Sequence, residues 1–547
     1  MNLQKLLNTA AKCWQQGDTK GAKKAYKKVI AIDPRHYRAI NNLASIMYIS
    51  KDYAKAEELL RQAIQVAPDL SEAHINLGNI YSITGQLDQA ISTFSDVIKL
   101  EPNNYVAYHQ LGLCFFKLKE LDNALNAIKL AVRINPSVAE LFVLFGQILE
   151  AKGVMRDAAN AYEQALRIQP THMLALTNLG AVFLYMGDKD SAINAYENAL
   201  QYYPDELGIY YFLSGLTNKY LNSDLKRKVE TALASVDAPP TIMCYALFIQ
   251  AQFANLNGDF LMEMKLLSQA HHKFLETKNF QKEASYYLEE LQLYAEERPF
   301  TFTKEGIDQV SIEDMSPIFI VGAPRSGSTL IENIICAADK GIVKGEETSI
   351  IDNELFKLSR SEAIQKNWLQ LGKKVLTRYK ELGVLSGDRF TDKSLENVFM
   401  IGFILDLFPN ARIVYCKRNP ISSATSILKN NLSALSWAHD LEGIFKYLEC
   451  SSKAYHYWKN EHPESIYEID YDLLVTDQVG ESKKLLEFCQ LPWSEQCLNF
   501  HKEKNIVSKT ASASQIRSPI HSDSINKFKQ YELFFDPYKK AYKWLSE

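Results

Sequence analysis

The sequence predicts an α-helical solenoid followed by an α/β domain with a mainly parallel sheet, and three observations carry that expectation. Six prolines, Pro34, Pro68, Pro102, Pro136, Pro170 and Pro204, stand 34 residues apart. Columns of small residues keep the same step. After about residue 300 the pattern changes, and residues 317–337 read as a short apolar run, a glycine-bounded turn and a helical stretch.

The columns explain themselves physically. Ala22, Ala56, Ala90, Ala124, Ala158 and Ala192 form one, and Ala10, Ala44, Gly78, Gly112, Gly146 and Gly180 form a second. A small residue on each of two paired helices lets their backbones approach closely. The proline then stops the second helix, because it lacks an N–H and clashes with the preceding turn. One such unit cannot bury its own apolar face, so the units must stack. The pattern resembles the tetratricopeptide repeat over residues 3–204, with a degenerate seventh unit running to Pro239. The expected organisation is a repeat solenoid over 1–239, a helical capping and connecting segment over 240–300, and a further domain over 301–547.

Solenoids of this kind expose a concave surface formed by the first helix of each unit. The sixth position of those helices runs Asn42, Asn76, Gln110, Leu144 and Asn178. A primary amide can donate to and accept from an extended peptide backbone at once. The resemblance therefore implies a peptide or protein partner held there, the alternative being amides that merely fill a solvated face.

Composition narrows the classes further. The 547 residues are 47% hydrophobic and 23% charged, which excludes a mainly disordered or collagenous chain. A net charge of −4 gives no basic field for nucleic acid. The longest apolar stretch, 398–408, contains Asp406 and is too short to span a bilayer. The first residues lack a signal-peptide core, and the eight cysteines are scattered without a CxxC pair. A cytoplasmic protein with reduced core thiols is expected. The 11 histidines show no ligand spacing, so no metal is expected either.

Residues 317–337 carry the chemistry. A strand leading through a glycine turn into a helix builds an anion site, because successive N–H groups converge and the helix adds its positive end. The Gly322-x4-Gly327 spacing matches the nucleotide-binding P-loop, but Ser328 stands where that loop requires lysine. This argues against a nucleoside-triphosphate kinase. Arg325 lies inside the loop instead. Farther on, the strand-like run at 412–417 ends beside Arg418, and Pro420 opens a helix that carries Ser426. An arginine at a strand end, facing a helix's first turns, is well placed to grip a phosphate.

These segments together resemble the sulfotransferases. PRSGST at 324–329 is similar to their 5′-phosphosulfate loop, and GEET at 345–348 to a segment of the tyrosylprotein sulfotransferases. TDKSLEN at 391–397 resembles their lysine segment, and Arg418 with Ser426, eight residues apart, their 3′-phosphate motif. TASASQIRSPIH at 510–521 is similar to the late loop of bacterial sulfotransferases fused to tetratricopeptide repeats.

The resemblance implies 3′-phosphoadenosine-5′-phosphosulfate (PAPS) as sulfonate donor and adenosine 3′,5′-bisphosphate (PAP) as product. It implies Glu347 as the base that deprotonates a hydroxyl acceptor, with Glu346 as the alternative. Lys393 would stabilise the bridging oxygen. Arg325 and the amides of Ser326, Gly327, Ser328 and Thr329 would hold the phosphosulfate. Arg418 and Ser426 would hold the 3′-phosphate, and Tyr471, Ser512, Arg517 and Lys527 would complete the pocket. Two positions depart from the tyrosine-specific pattern. Ser349 replaces the arginine after GEET, and Asn430 replaces a basic residue. Peptide tyrosine, sugar hydroxyl and small phenol all remain open as acceptors. The competing reading is a repeat adaptor with a non-catalytic nucleotide-binding domain.

Overall fold

The computed structural model describes residues 3–277, 284–285, 287–289, 291–292, 315–346, 348–351, 368–385, 387–502, 508, 515–520 and 528–546. The chain divides into two compact units, Met1–Phe183 and Leu184–Glu547.

Twelve helices, from Leu3–Gln15 to Lys189–Tyr202, form the six pairs that the prolines imply. Each second helix ends two residues before its proline, as at Ile32 and Pro34 or Ile168 and Pro170. The alanines of the first column are all fully buried. Gly78 lies beneath the Phe94 ring and Gly146 beneath Tyr162, where an added Cβ would come within 2.6 Å of the ring. The small residue is therefore the seat of a large one. Aspartates cap several second helices: Asp18, Asp52 and Asp188 accept from backbone N–H groups in the first turn. Ahead of each cap, one residue takes a left-handed conformation. It is Gly17, Lys51, Gly85, Lys119, Gly153 or Gly187, with φ between 60° and 83°.

Within the second unit, a shorter pair follows, Leu207–Leu216 and Ser223–Ala234, then two longer helices, Pro240–Leu256 and Phe260–Thr277. Four parallel strands come next: β1 (Ile318–Gly322), β2 (Thr391–Asp392), β3 (Arg412–Lys417) and β4 (Ile466–Asp470). Their order is β2-β1-β3-β4. β1 is buried throughout. Ile318 and Ile320 pack with Ile331, Val414 and Ile469 on one face, and Phe319 and Val321 with Phe390, Phe408 and Ile413 on the other. Burial on both faces is why this strand reads as a continuous apolar run. Val343 and Glu346 pair in parallel with Phe390 and Lys393, extending the sheet beyond β2.

Helix Phe260–Thr277 is bolted to the end of helix Pro420–Leu428. His271 Nε2 lies 2.8 Å from the Leu428 carbonyl and must donate to it, so Nδ1 accepts from His439 Nδ1, also at 2.8 Å. Burial drives His271 down to about 4. A histidine with a depressed folded pKa contributes stability above its unfolded value and loses it as pH falls. Between about pH 6.5 and pH 4 the domain should lose about 3 kcal/mol from this group. Urea midpoints across that range should show the loss in wild type and a flatter curve in His271→Gln.

Candidate active site

Because the strands are parallel, their C-terminal ends share one edge, and the segments leaving it carry the predicted residues. β1 leads to the loop 323–327, β2 to Lys393, β3 to Arg418 and β4 to Tyr471. The chain leaves β1 toward β2 on one side and later places β3 on the other. The crevice between the loops after β1 and β3 is a topological switch point, where open α/β sheets bind ligands.

The loop is tightly built. Gly322 approaches β3 so closely that a Cβ would lie 2.8 Å from the Cys416 carbonyl oxygen. Ser326 Oγ donates to the Ala323 carbonyl at 2.7 Å. Arg325 holds a left-handed φ of 67°, which costs about 1–2 kcal/mol in a residue with a side chain. Both ends of the residue are secured: its Nε donates to Ser426 Oγ at 2.9 Å, and its carbonyl accepts from Arg418 Nη1 at 2.6 Å. Gly327, at φ 92°, starts helix Ser328–Ala338, which has no side-chain cap. The positive end of that helix is thus directed at the same loop.

Arg418 stacks on the Tyr471 ring, 4.5 Å from its centroid. Tyr471 also covers Gly327, whose Cβ would overlap the ring. Burial, and then the nearby Arg418, pulls the Arg325 guanidinium down to about 10. Burial lowers Arg418 as well, against the pull of Tyr471 and Asp472. The Arg418 Nε is buried and has no hydrogen-bond partner among the described residues. Crowded, desolvated cations with an unmade hydrogen bond call for an anion.

A second cluster adjoins the first through Thr329. Lys393 is 1% exposed, and its Nζ donates to Thr329 Oγ1 at 3.2 Å and to Glu346 Oε1 at 2.9 Å. Glu332, fully buried, places Oε2 3.5 Å from the same Nζ. The lysine is held between two carboxylates. Burial opposes the charged form of Glu346, but Lys393, Lys344 and a hydrogen bond from Ser508 outweigh it and hold the carboxyl below its usual range. For Glu332 burial wins and pushes the carboxyl up, against Lys393 and Lys344. Gly345 is required here, since a Cβ would overlap the Thr391 carbonyl. Asp392 ties the segments together: Oδ2 accepts from Thr348 Oγ1 and Tyr379 OH, both at 2.5 Å, and Oδ1 from the Ser394 amide at 2.9 Å.

Residues 317–495 match the sulfotransferase family, and 14–80, 47–111, 105–138, 139–172 and 173–206 match tetratricopeptide repeats. Tetratricopeptide repeats thus precede a sulfotransferase domain. An uncharacterized protein of Aquifex aeolicus (strain VF5) is 29% identical over 330 residues, covering 56% of this chain and 42% of that protein. The protein-tyrosine sulfotransferase A of Caenorhabditis elegans is 25% identical over 239 residues, 39% of this chain and 60% of its own length. The chain therefore spans less than two thirds of these relatives. Among solved structures, YrrB, described as a TPR protein with an unusual peptide-binding site, aligns with 21% identity and a TM-score of 0.30. That alignment covers 34% of this chain and 97% of YrrB. Among the described residues no helix is long and apolar enough to cross a membrane.

The sulfotransferase domain brings Arg325, Ser326, Gly327, Ser328, Thr329, Lys393, Arg418, Ser426 and Tyr471 into one neighbourhood. Ser426 accepts from Arg325 Nε, which joins the loop after β1 to the helix that follows Arg418. Glu347, Ser512 and Lys527 lie outside the described residues. Arg517 donates to the Tyr185 carbonyl at 2.5 Å and feels the charge of Glu346. In the repeats, Asn42 donates to Tyr26 OH at 3.1 Å, Asn76 to Asn41 Oδ1 at 3.0 Å and Asn178 to Tyr162 OH at 3.3 Å. Gln110 is half-buried and Leu144 buried. Two residues of the site, Glu332 and Ser508, escaped the sequence reading, and Asp392 entered it only as part of TDKSLEN, without a role. A glutamate between Ile331 and Ile334 on a buried helix face was a usable signal, and so was an aspartate beside Lys393. Ser508 offered none.

Proposed function

We propose that the chain transfers a sulfonate from PAPS to a hydroxyl acceptor. The observation that carries this reading is the buried, unpartnered Nε of Arg418 beside Arg325, at the strand edge next to Lys393. The donor set fits a doubly anionic adenylate: two guanidiniums, a helix N-terminus and a flat ring at Tyr471. PAPS supplies an activated sulfonate on a phosphate leaving group.

The chain's own residues would then divide the work. Arg325 and the amides of Ser326 to Thr329 hold the phosphosulfate, and Arg418 with Ser426 holds the 3′-phosphate. Lys393 offers a compact charge where the leaving oxygen becomes anionic. Glu346 and Glu332 keep that ammonium protonated and aimed. Glu347 takes the acceptor's proton. Ser512 and Lys527 would add contacts to the same donor, as the resemblance implies. The repeats present a peptide or protein acceptor from the face bearing Asn42, Asn76, Gln110 and Asn178, and tyrosine is one candidate hydroxyl.

Calorimetry with PAP and a transfer assay together separate this reading from a repeat adaptor. No binding at millimolar ligand would remove the donor site, and PAP binding without sulfonate transfer would mark a non-catalytic nucleotide-binding domain. Glu347→Gln is expected to keep PAP affinity within about twofold while turnover drops by about 100-fold or more. Equal turnover in wild type and Glu347→Gln would move the base to Glu346. Labelled donor added to a lysate, with Lys393→Ala as control, would identify the acceptor.

A further inference from the structure

Ser508 is carried far from the strand edge in sequence, yet its Oγ donates to Glu346 Oε1 at 2.7 Å, the oxygen that also accepts from Lys393. Its own amide is bonded to the Tyr185 carbonyl at 3.3 Å. Arg517, nine residues on, donates to that same carbonyl at 2.5 Å. Tyr185 lies in the last turn of the first helix of the sixth repeat, Met173–Met186, and Gly187 just after it, inside the compact unit that contains the sulfotransferase domain. The Arg517 guanidinium occupies the space that a side chain at Gly187 would fill.

The equivalent turns make this meaningful. The left-handed position is a glycine in four units and a lysine in two, Lys51 and Lys119, at φ 60° and 61°. A side chain is thus compatible with the turn. At Gly17 and Gly85 nothing lies within 4 Å of an added Cβ, whereas at Gly187 Arg517 is there. The sixth turn is a docking point, and those at Gly17 and Gly85 are open.

We infer that Arg517 is a positioning residue: latched over Gly187 onto the Tyr185 carbonyl, it fixes Ser508 against Glu346 and so sets the geometry of Lys393 for sulfonate transfer. This rests on the sulfotransferase reading. Arg325 and Arg418 lie outside the latch, so donor affinity should be spared and the transfer step should suffer.

Gly187→Lys tests it in the full chain, with Gly85→Lys as control. The Gly187 variant is expected to incorporate labelled sulfonate into a lysate about 10- to 100-fold more slowly at saturating PAPS. Its PAP dissociation constant should stay within about twofold of wild type. Hydrogen exchange at the Ser508 amide, which donates to the Tyr185 carbonyl, should lose protection, and Gly85→Lys should match wild type throughout. Arg517→Lys should retain more turnover than Arg517→Gln. Because the latch acts through the serine, Ser508→Ala combined with Gly187→Lys should lose no more than the worse single variant. Equal Ser508 protection in the two lysine variants, or losses that multiply in the double variant, would overturn the latch. A wild type that binds no PAP, with Ser508 protection that Gly187→Lys still abolishes, would sink the transfer reading and leave the latch standing.

Discussion

Replacing Arg418 by alanine is expected to weaken PAP binding by at least about 100-fold. The side chain works at two places. Nη1 fixes the Arg325 carbonyl at 2.6 Å, and so the left-handed loop residue, while Nε is a buried donor awaiting an acceptor. Each charge-assisted hydrogen bond is worth about 1.5–3 kcal/mol, so losing two corresponds to about 100-fold or more in affinity. Lysine should restore little of it. One ammonium cannot span the loop carbonyl and a phosphate as a fork does, nor stack flat on Tyr471. Calorimetric titration of wild type, Arg418→Ala and Arg418→Lys is the measurement, and undiminished affinity in the alanine variant would remove the 3′-phosphate site from this edge.

The second large effect concerns Lys393. Lys393→Met should cut sulfonate transfer by about 100- to 1,000-fold, because the charge that meets the leaving oxygen is gone. It should also destabilise the fold by about 3–5 kcal/mol, since Glu332 and Glu346 then lose their buried cation and keep only the more exposed Lys344, 3.8 Å from Glu332. The two consequences are separable. Adding Glu332→Gln removes the deeper of the stranded carboxylates and should recover much of the urea midpoint while leaving transfer as low as before. If the double variant regains transfer together with stability, Lys393 is a structural cation and the leaving group is assisted elsewhere.

What the sequence disclosed followed from how far each interaction reaches along the chain. The solenoid was legible because every unit repeats its prolines and small residues, so one local cause is written six times. Gly322, Gly327 and Arg325 were legible because a tight turn needs its special residues in consecutive positions. β2 and β4 were not, being two residues long in one case and of mixed composition, Ile466–Asp470, in the other. The partner of Ser426 was not legible either, since the loop arginine that donates to it lies 101 residues away. Ser508 and Glu346 are 162 residues apart. A contact of that span leaves no periodicity and no motif in either segment.

Helix Phe260–Thr277 bears on how the catalytic half can be obtained by itself. A fragment beginning at residue 301 would strip His271 from the Leu428 carbonyl and Glu263 from Lys429, its 2.8 Å ion-pair partner. The vacated groove would expose the His439 ring, on which Phe274 stacks at 4.4 Å, and open the end of the helix bearing Ser426 to water. Expression of a shortened polypeptide should therefore begin upstream of Leu184, so that both bolts and the sixth-repeat turn travel with the sheet they support.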